Sequence, residues 1–152
     1  LRMPLFRLAY TSAACQLAPA DIEAILAVSR RNNGDAGITG MLLFDSDIFL
    51  QVLEGAREDV SACFLRIAED PRHRDVQLLS AGDVDQRLFA EWSMHYVPSR
   101  GGQSKILDRY SAARGFRPAD LTSRSVEALA RNLSAAAGAT AAAKEVGRRQ
   151  AH

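Results

Sequence analysis

The chain places two strand-like runs, Ile38 to Phe44 and Ile48 to Leu53, on either side of the tripeptide Asp45–Ser46–Asp47. Three polar residues cannot carry the chain over a sheet, so the two runs read as antiparallel neighbours in a hairpin. On both sides of this hairpin the apolar period changes from 2 to 3.6. Upstream, Ile22, Ile25, Leu26, Ser29 and Asn33 share one helical face. Pro19, Asp21 and Glu23 favour the start of that helix, and Gly34 and Gly37 close it. Downstream, Val60, Cys63, Phe64 and Ile67 form the inward stripe of a helix from Arg57 to Asp70, which Pro71 stops. Leu5 to Thr11 alternates as a strand, with Phe6, Leu8 and Tyr10 on one face and Leu5, Arg7 and Ala9 on the other. Val76 to Ala81 and Trp92 to Val97 supply two more strands, with Asp83 to Glu91 between them. The order predicts an α+β, ferredoxin-like sandwich: a five-stranded mixed sheet with two helices on one face.

After Pro98 the character changes. Ser99 to Ser104 reads as a linker. Beyond it, Ile106, Leu107 and Tyr110, then Val126, Leu129, Ala130 and Leu133, are spaced for two short amphipathic helices. These are expected to pack on the bare sheet face, with a dimer contact as the alternative. The tail from Ala135 to His152 is alanine-rich, carries Lys144, Arg148 and Arg149, and is helical or frayed. Residues 1–98 thus form the sandwich, and 99–152 a helical extension that caps it or docks a partner.

At 152 residues and 47% hydrophobic, the chain can bury the core of one domain. Its 19 basic and 18 acidic side chains leave the net charge close to zero, and nothing advertises a nucleic-acid footprint, which would need basic residues gathered on one face. No apolar run approaches the roughly 18 residues of a membrane span, and there is no signal-peptide h-region at the N-terminus. Cys15 and Cys63 lie in segments of different character without metal-ligand spacing, which favours reduced thiols in a cytoplasmic protein over a disulfide.

Against this ordinary background, several polar groups fall where hydrocarbon is expected. The first helix's inward stripe ends in Ser29 and Asn33, and Gln51 shares a strand face with Phe49 and Leu53. A buried amide without a partner costs about 1–3 kcal/mol. A set of them converging on one core therefore points to a bound, planar, polar ligand. Glutamine has a donor end and an acceptor end, so Gln51 can bridge the Tyr10 phenol and a ligand heteroatom, and reorienting it would reverse both bonds. Taken singly, Tyr10 and Gln51 could equally satisfy each other in a plain core.

The fragments Leu8–Ala9–Tyr10–Thr11–Ser12, Ser29 with Asn32 and Asn33, Ile38–Thr39–Gly40, Phe49–Leu50–Gln51 with Leu53–Glu54–Gly55, Asp70–Pro71–Arg72–His73 and Trp92–Ser93–Met94 occur in this order. Together they resemble the BLUF family of flavin-binding blue-light sensors over about residues 4–98. Ala56 departs from the family, which commonly has proline there, and the tail after Pro98 is not covered. The resemblance implies FAD, with FMN or riboflavin able to substitute, between the two helices. It puts Asn33 on the pyrimidine edge of the ring, Arg31 and Asn32 near the same end or the ribityl chain, and Ile25 and Ile67 on the ring's two faces. It places Ser29, Arg66 and Asp70 along the pocket, and His73 as a loop imidazole or a flavin contact. Arg66 and Asp70 are also spaced for a surface ion pair. His95 and His152 read as surface residues.

By the same resemblance, light drives an electron and then a proton from Tyr10 toward the flavin through Gln51. Recombination leaves the glutamine in a new hydrogen-bonded state with a small red shift, which is sensing and not turnover. Met94 and Trp92, on one side of the last strand, would exchange places beside Gln51. The implied partners are flavin and an effector acting in trans, such as a cyclic-dinucleotide enzyme or a response regulator, with no nucleic acid or membrane, in a homodimer or higher oligomer. The residues after Pro98 are too few for a cyclic-nucleotide catalytic domain and lack its phosphate cradles and metal clusters. Two other readings stay open. An acylphosphatase-like enzyme needs a phosphate-binding arginine that Tyr10 to Ala14 does not offer, and a ligand-free interaction module predicts a colourless protein.

Overall fold

A computed structural model describes residues 4–15, 17–99 and 104–150, with side chains to residue 139. The middle of the expected linker and His152 lie outside the described residues. Strand β1 (Leu5–Ala14) is followed by α1 (Pro19–Ala36), β2 (Thr39–Asp45), β3 (Ile48–Ala56), α2 (Arg57–Glu69), β4 (His73–Asp83) and β5 (His95–Pro98). Two further helices follow, α3 (Ser104–Asp108) and α4 (Ser123–Gln150). The sheet order is β4-β1-β3-β2-β5, antiparallel throughout except for the parallel β2–β5 pair. This is the mixed, five-stranded ferredoxin-like sheet that the element order predicts. Among the described residues, no helix is long and apolar enough to cross a membrane.

The alternation along each strand sends side chains to two separate layers. In front, Leu8 and Tyr10 of β1, Leu42 of β2, and Phe49 and Leu53 of β3 pack against Ile22, Ile25 and Leu26 of α1 and Val60 and Cys63 of α2. Behind, Met41, Leu43, Leu50 and Val52 meet Leu107 of α3 and Val126, Leu129 and Leu133 of α4. The C-terminal helices therefore cover the face that α1 and α2 leave bare.

Three expectations are corrected. The hairpin loop is two residues, because Asp45 itself pairs with Ile48 while Ser46 takes the left-handed conformation at φ 53°. The second amphipathic segment is not short: it runs on into the tail, which takes the helical form of the two expected, as one 28-residue helix, since the alanine run is a strong helix former and Ala137 is still buried. The last strand begins at His95, not at Trp92. Trp92 packs with Phe89 in the back layer, and its carbonyl accepts from the Gly40 amide at 3.1 Å. Position 40 must be glycine: a Cβ there would stand 1.9 Å from the Val52 carbonyl oxygen. Gly37, at φ 69°, caps α1 by donating to the Gly34 carbonyl.

Candidate functional site

Tyr10 and Gln51 face each other directly across the β1–β3 pair. The Tyr10 hydroxyl donates to Gln51 Oε1, and Gln51 Nε2 donates to the Met94 sulfur at 3.4 Å. All three side chains are buried. Burial, reinforced by the neighbouring Cys63 and Asp70, pushes the Tyr10 phenol far above its ordinary range. It stays protonated and acts as the donor that fixes the carboxamide's orientation. The other end of the amide rests on a thioether, a weak acceptor.

Beside this pair, Asn33 projects from the last turns of α1 into the interior. Its Nδ2 donates to the Ser93 carbonyl at 3.0 Å, and its Oδ1 accepts from the Cys63 thiol at 3.8 Å. Burial raises the Cys63 thiol, with Arg66 opposing. Between α1, α2 and the sheet lies a cavity of about 170 Å³. Tyr10, Gln51 and Asn33 form its inner end, and Ile25 and Ile67 lie along its sides. Val28, Asn32 and Arg66, all exposed, form the rim, so the cavity opens to solvent between the helices. A larger groove, about 810 Å³, runs beside the start of α1 past Leu17, Phe44 and Tyr96. Its phenol, Tyr96, is only half-buried and no amide side chain lines it, so the smaller cavity is the chemically equipped one.

The structure brings together Tyr10, Ile25, Ser29, Asn32, Asn33, Gln51, Arg66, Ile67, Asp70 and His73 around one space. Met94 touches Gln51 from the side. Two expected members do not join them. Arg31 is exposed and does not line the cavity, because position 31 faces away from the Ile25–Ser29–Asn33 stripe. Trp92 lies in the back layer, so Met94 alone occupies the place beside Gln51. Asp70 does not pair with Arg66. It caps α2 and binds Arg72, with Nη2–Oδ2 at 2.6 Å, which holds its carboxyl below the usual range. Sequence reasoning overlooked Cys63 and Arg72 as wall residues. Cys63 was legible in principle, being on the same helical stripe as Ile67.

His73 accepts or donates at Nδ1 with the Ser12 hydroxyl, 2.7 Å away, and packs against Phe49 at 4.8 Å between ring centres. His95 is not a surface residue: it is half-buried, 5.0 Å from the Trp92 ring. Burial holds both imidazoles below the ordinary histidine value of 6.5. Below that pH the unfolded chain takes up protons that the folded chain resists, so acidification favours unfolding. Thermal melts should show stability falling as pH drops below 6.5. Replacing both histidines with glutamine should flatten that segment of the curve. An unchanged slope in the double variant would refute the assignment.

Comparison with known proteins gives concordant matches. The model of a protein family described as BLUF, sensors of blue-light using FAD, matches residues 5–95. A photoactivated adenylate cyclase subunit beta of Euglena gracilis is 37% identical over 75 residues, which are 49% of this chain and 9% of that protein. The blue light- and temperature-regulated antirepressor BluF of Escherichia coli is 34% identical over 79 residues, 52% of this chain and 20% of the relative. The chain thus spans about a tenth and a fifth of the lengths of these relatives. The dark-state structure of the BLUF protein BlrB superposes with a TM-score of 0.73 at 31% identity, covering 90% of this chain and 99% of BlrB.

Proposed function

Because the chain belongs to the BLUF family of blue-light sensors that use FAD, we propose that the cavity between α1 and α2 holds the flavin and that Tyr10, Gln51 and Met94 form its switch. The donor set fits such a group. Ile25 and Ile67 offer apolar walls for a flat ring system, and Asn33 and Gln51 present amides suited to carbonyl and imide edges. Arg66 and Arg72 supply positive charge toward the rim. When bound, the flavin supplies blue-light absorption and, once excited, the oxidising power to draw on a nearby phenol. The protein's part lies in the carboxamide. Tyr10 holds Gln51 Oε1, and Met94 holds Nε2 only weakly. Exchanging the two ends of the amide, by rotation or by tautomerisation, changes what the glutamine offers to the cavity without net chemistry. FAD is the expected flavin, with FMN or riboflavin able to substitute.

The observation that carries this reading is the buried Tyr10–Gln51–Met94 chain at the inner end of the cavity. The isolated protein, reconstituted with FAD, should be yellow and should show a reversible red shift on blue illumination. Asn33→Ala should weaken FAD binding by about tenfold, the loss of one well-placed amide pair, as read by titration of flavin fluorescence. A colourless protein that takes up no flavin would overturn the reading. We further infer that residues 99–152 serve output, that the protein acts in trans on an effector such as a cyclic-dinucleotide enzyme or a response regulator, and that it assembles as a homodimer or higher oligomer. Its relatives include a photoactivated adenylate cyclase subunit and a light-regulated antirepressor, which supports a sensor separable from any one output. Size-exclusion chromatography in darkness and in light tests the assembly.

A further inference from the structure

Residues 84–94 connect β4 to β5 and pass from one side of the sheet to the other. Phe89 is buried in the back layer and Met94 in the front. Both ends of this connector are tied. At the front, Ser93 O accepts from Asn33, Met94 O from Arg30 Nε at 3.1 Å, and Met94 sulfur from Gln51. At the back, Glu54 on β3, fully buried, accepts from the Leu88 and Phe89 amides, both at 2.8 Å. Arg7 on β1 donates from Nε to Glu54 at 2.9 Å, from Nη2 to the Gln86 carbonyl at 2.9 Å, and from Nη1 to Glu127 of α4 at 2.9 Å. Ser80 Oγ donates to the other Glu127 oxygen at 3.1 Å, and Ser134 of α4 donates to the Leu88 carbonyl.

We propose that Arg7, Glu54 and Glu127 form a clamp through which α4 positions the 84–94 connector, and hence Met94 against Gln51, so that α4 sets the lifetime of the lit state. Nothing in the light reaction requires these residues, yet the buried Arg7–Glu54 pair binds the connector at Gln86, Leu88 and Phe89 and binds α4 through the half-buried Glu127. The ion network reaches the glutamine by a short stretch of the connector, from Phe89 to Met94, which is tightened by the Trp92 amide donating to the Phe89 carbonyl at 3.2 Å. Coupling free energies are reciprocal. If α4 holds Met94 in its dark position, a light-driven change at Met94 must alter how α4 is held. The clamp would also explain why a charged pair is kept beside an otherwise apolar layer.

The proposal rests on the flavin reading, and its test separates the two. In the FAD-loaded full chain, Glu127→Ala should lengthen thermal recovery of the shifted spectrum by about threefold or more, with the size of the shift unchanged. Glu127→Gln, which keeps hydrogen-bonding atoms in place, should restore most of the parent rate. Arg124→Ala, an exposed site on the same helix, should recover as the parent does. Recovery in Glu127→Ala that matches the parent, or is faster, would overturn the clamp. If Glu127→Ala folds poorly, Ser80→Ala loosens the same carboxylate and should lengthen recovery in the same direction. A parent without a reversible shift would refute the light reading only. In that case hydrogen exchange still decides, because the Leu88 and Phe89 amides should exchange about tenfold faster in Glu127→Ala, and unchanged protection would sink the clamp.

Discussion

Gln51→Leu should keep the flavin and the fold but lose the reversible red shift altogether. The shift depends on a side chain with a donor at one end and an acceptor at the other, and leucine has neither. Tyr10→Phe should also abolish the normal shift while retaining colour, because it removes the phenol bonded to Gln51 Oε1. The stability changes should differ between single and double variants. Each single variant strands a buried polar atom, the Tyr10 hydroxyl or Gln51 Oε1, at a cost of about 1–3 kcal/mol. Tyr10→Phe combined with Gln51→Leu removes both partners, so its loss should be smaller than the sum of the singles. Difference spectra after illumination and a double-mutant cycle from denaturant midpoints check the two halves separately. A normal shift in both single variants would end the switch assignment.

Glu54→Leu should cost about 3–5 kcal/mol, the range for stripping one partner from a buried ion pair. Arg7 would remain 5% exposed with its Glu54 contact gone. The Leu88 and Phe89 amides, which donate to that carboxylate, would lose their acceptor as well. Arg7→Met combined with Glu54→Leu should recover part of the loss, because an apolar pair leaves no uncompensated charge and Glu127 lies close enough to solvent to hydrate. Urea unfolding resolves these differences. A Glu54→Leu midpoint equal to the parent's would show that the pair contributes nothing to stability.

The front layer was legible because its signals are local. Ile22, Ile25, Ser29 and Asn33 share a face by helical spacing alone, and Phe49, Gln51 and Leu53 by strand alternation. What escaped was settled by contacts distant in sequence. Trp92 and Met94 are two residues apart and look like one strand face, yet the backbone crosses the sheet edge between them. Arg7 alternates with Leu8 in the manner of a solvent-facing residue. Its buried environment comes from Glu54, 47 residues away, and from Glu127, 120 residues away. No window of sequence contains that arrangement. The Asp70–Arg72 pair was hidden for the opposite reason: a partner two residues off, set by the turn after α2, displaced the helical i,i+4 pairing with Arg66.

A carboxamide gripped firmly at its oxygen and loosely at its nitrogen behaves as a hinge with one tight leaf. Any oxygen offered to the nitrogen from the cavity is a better acceptor than the sulfur it leaves. Reorienting the amide then needs no stored spring, only a resting contact that is easy to give up.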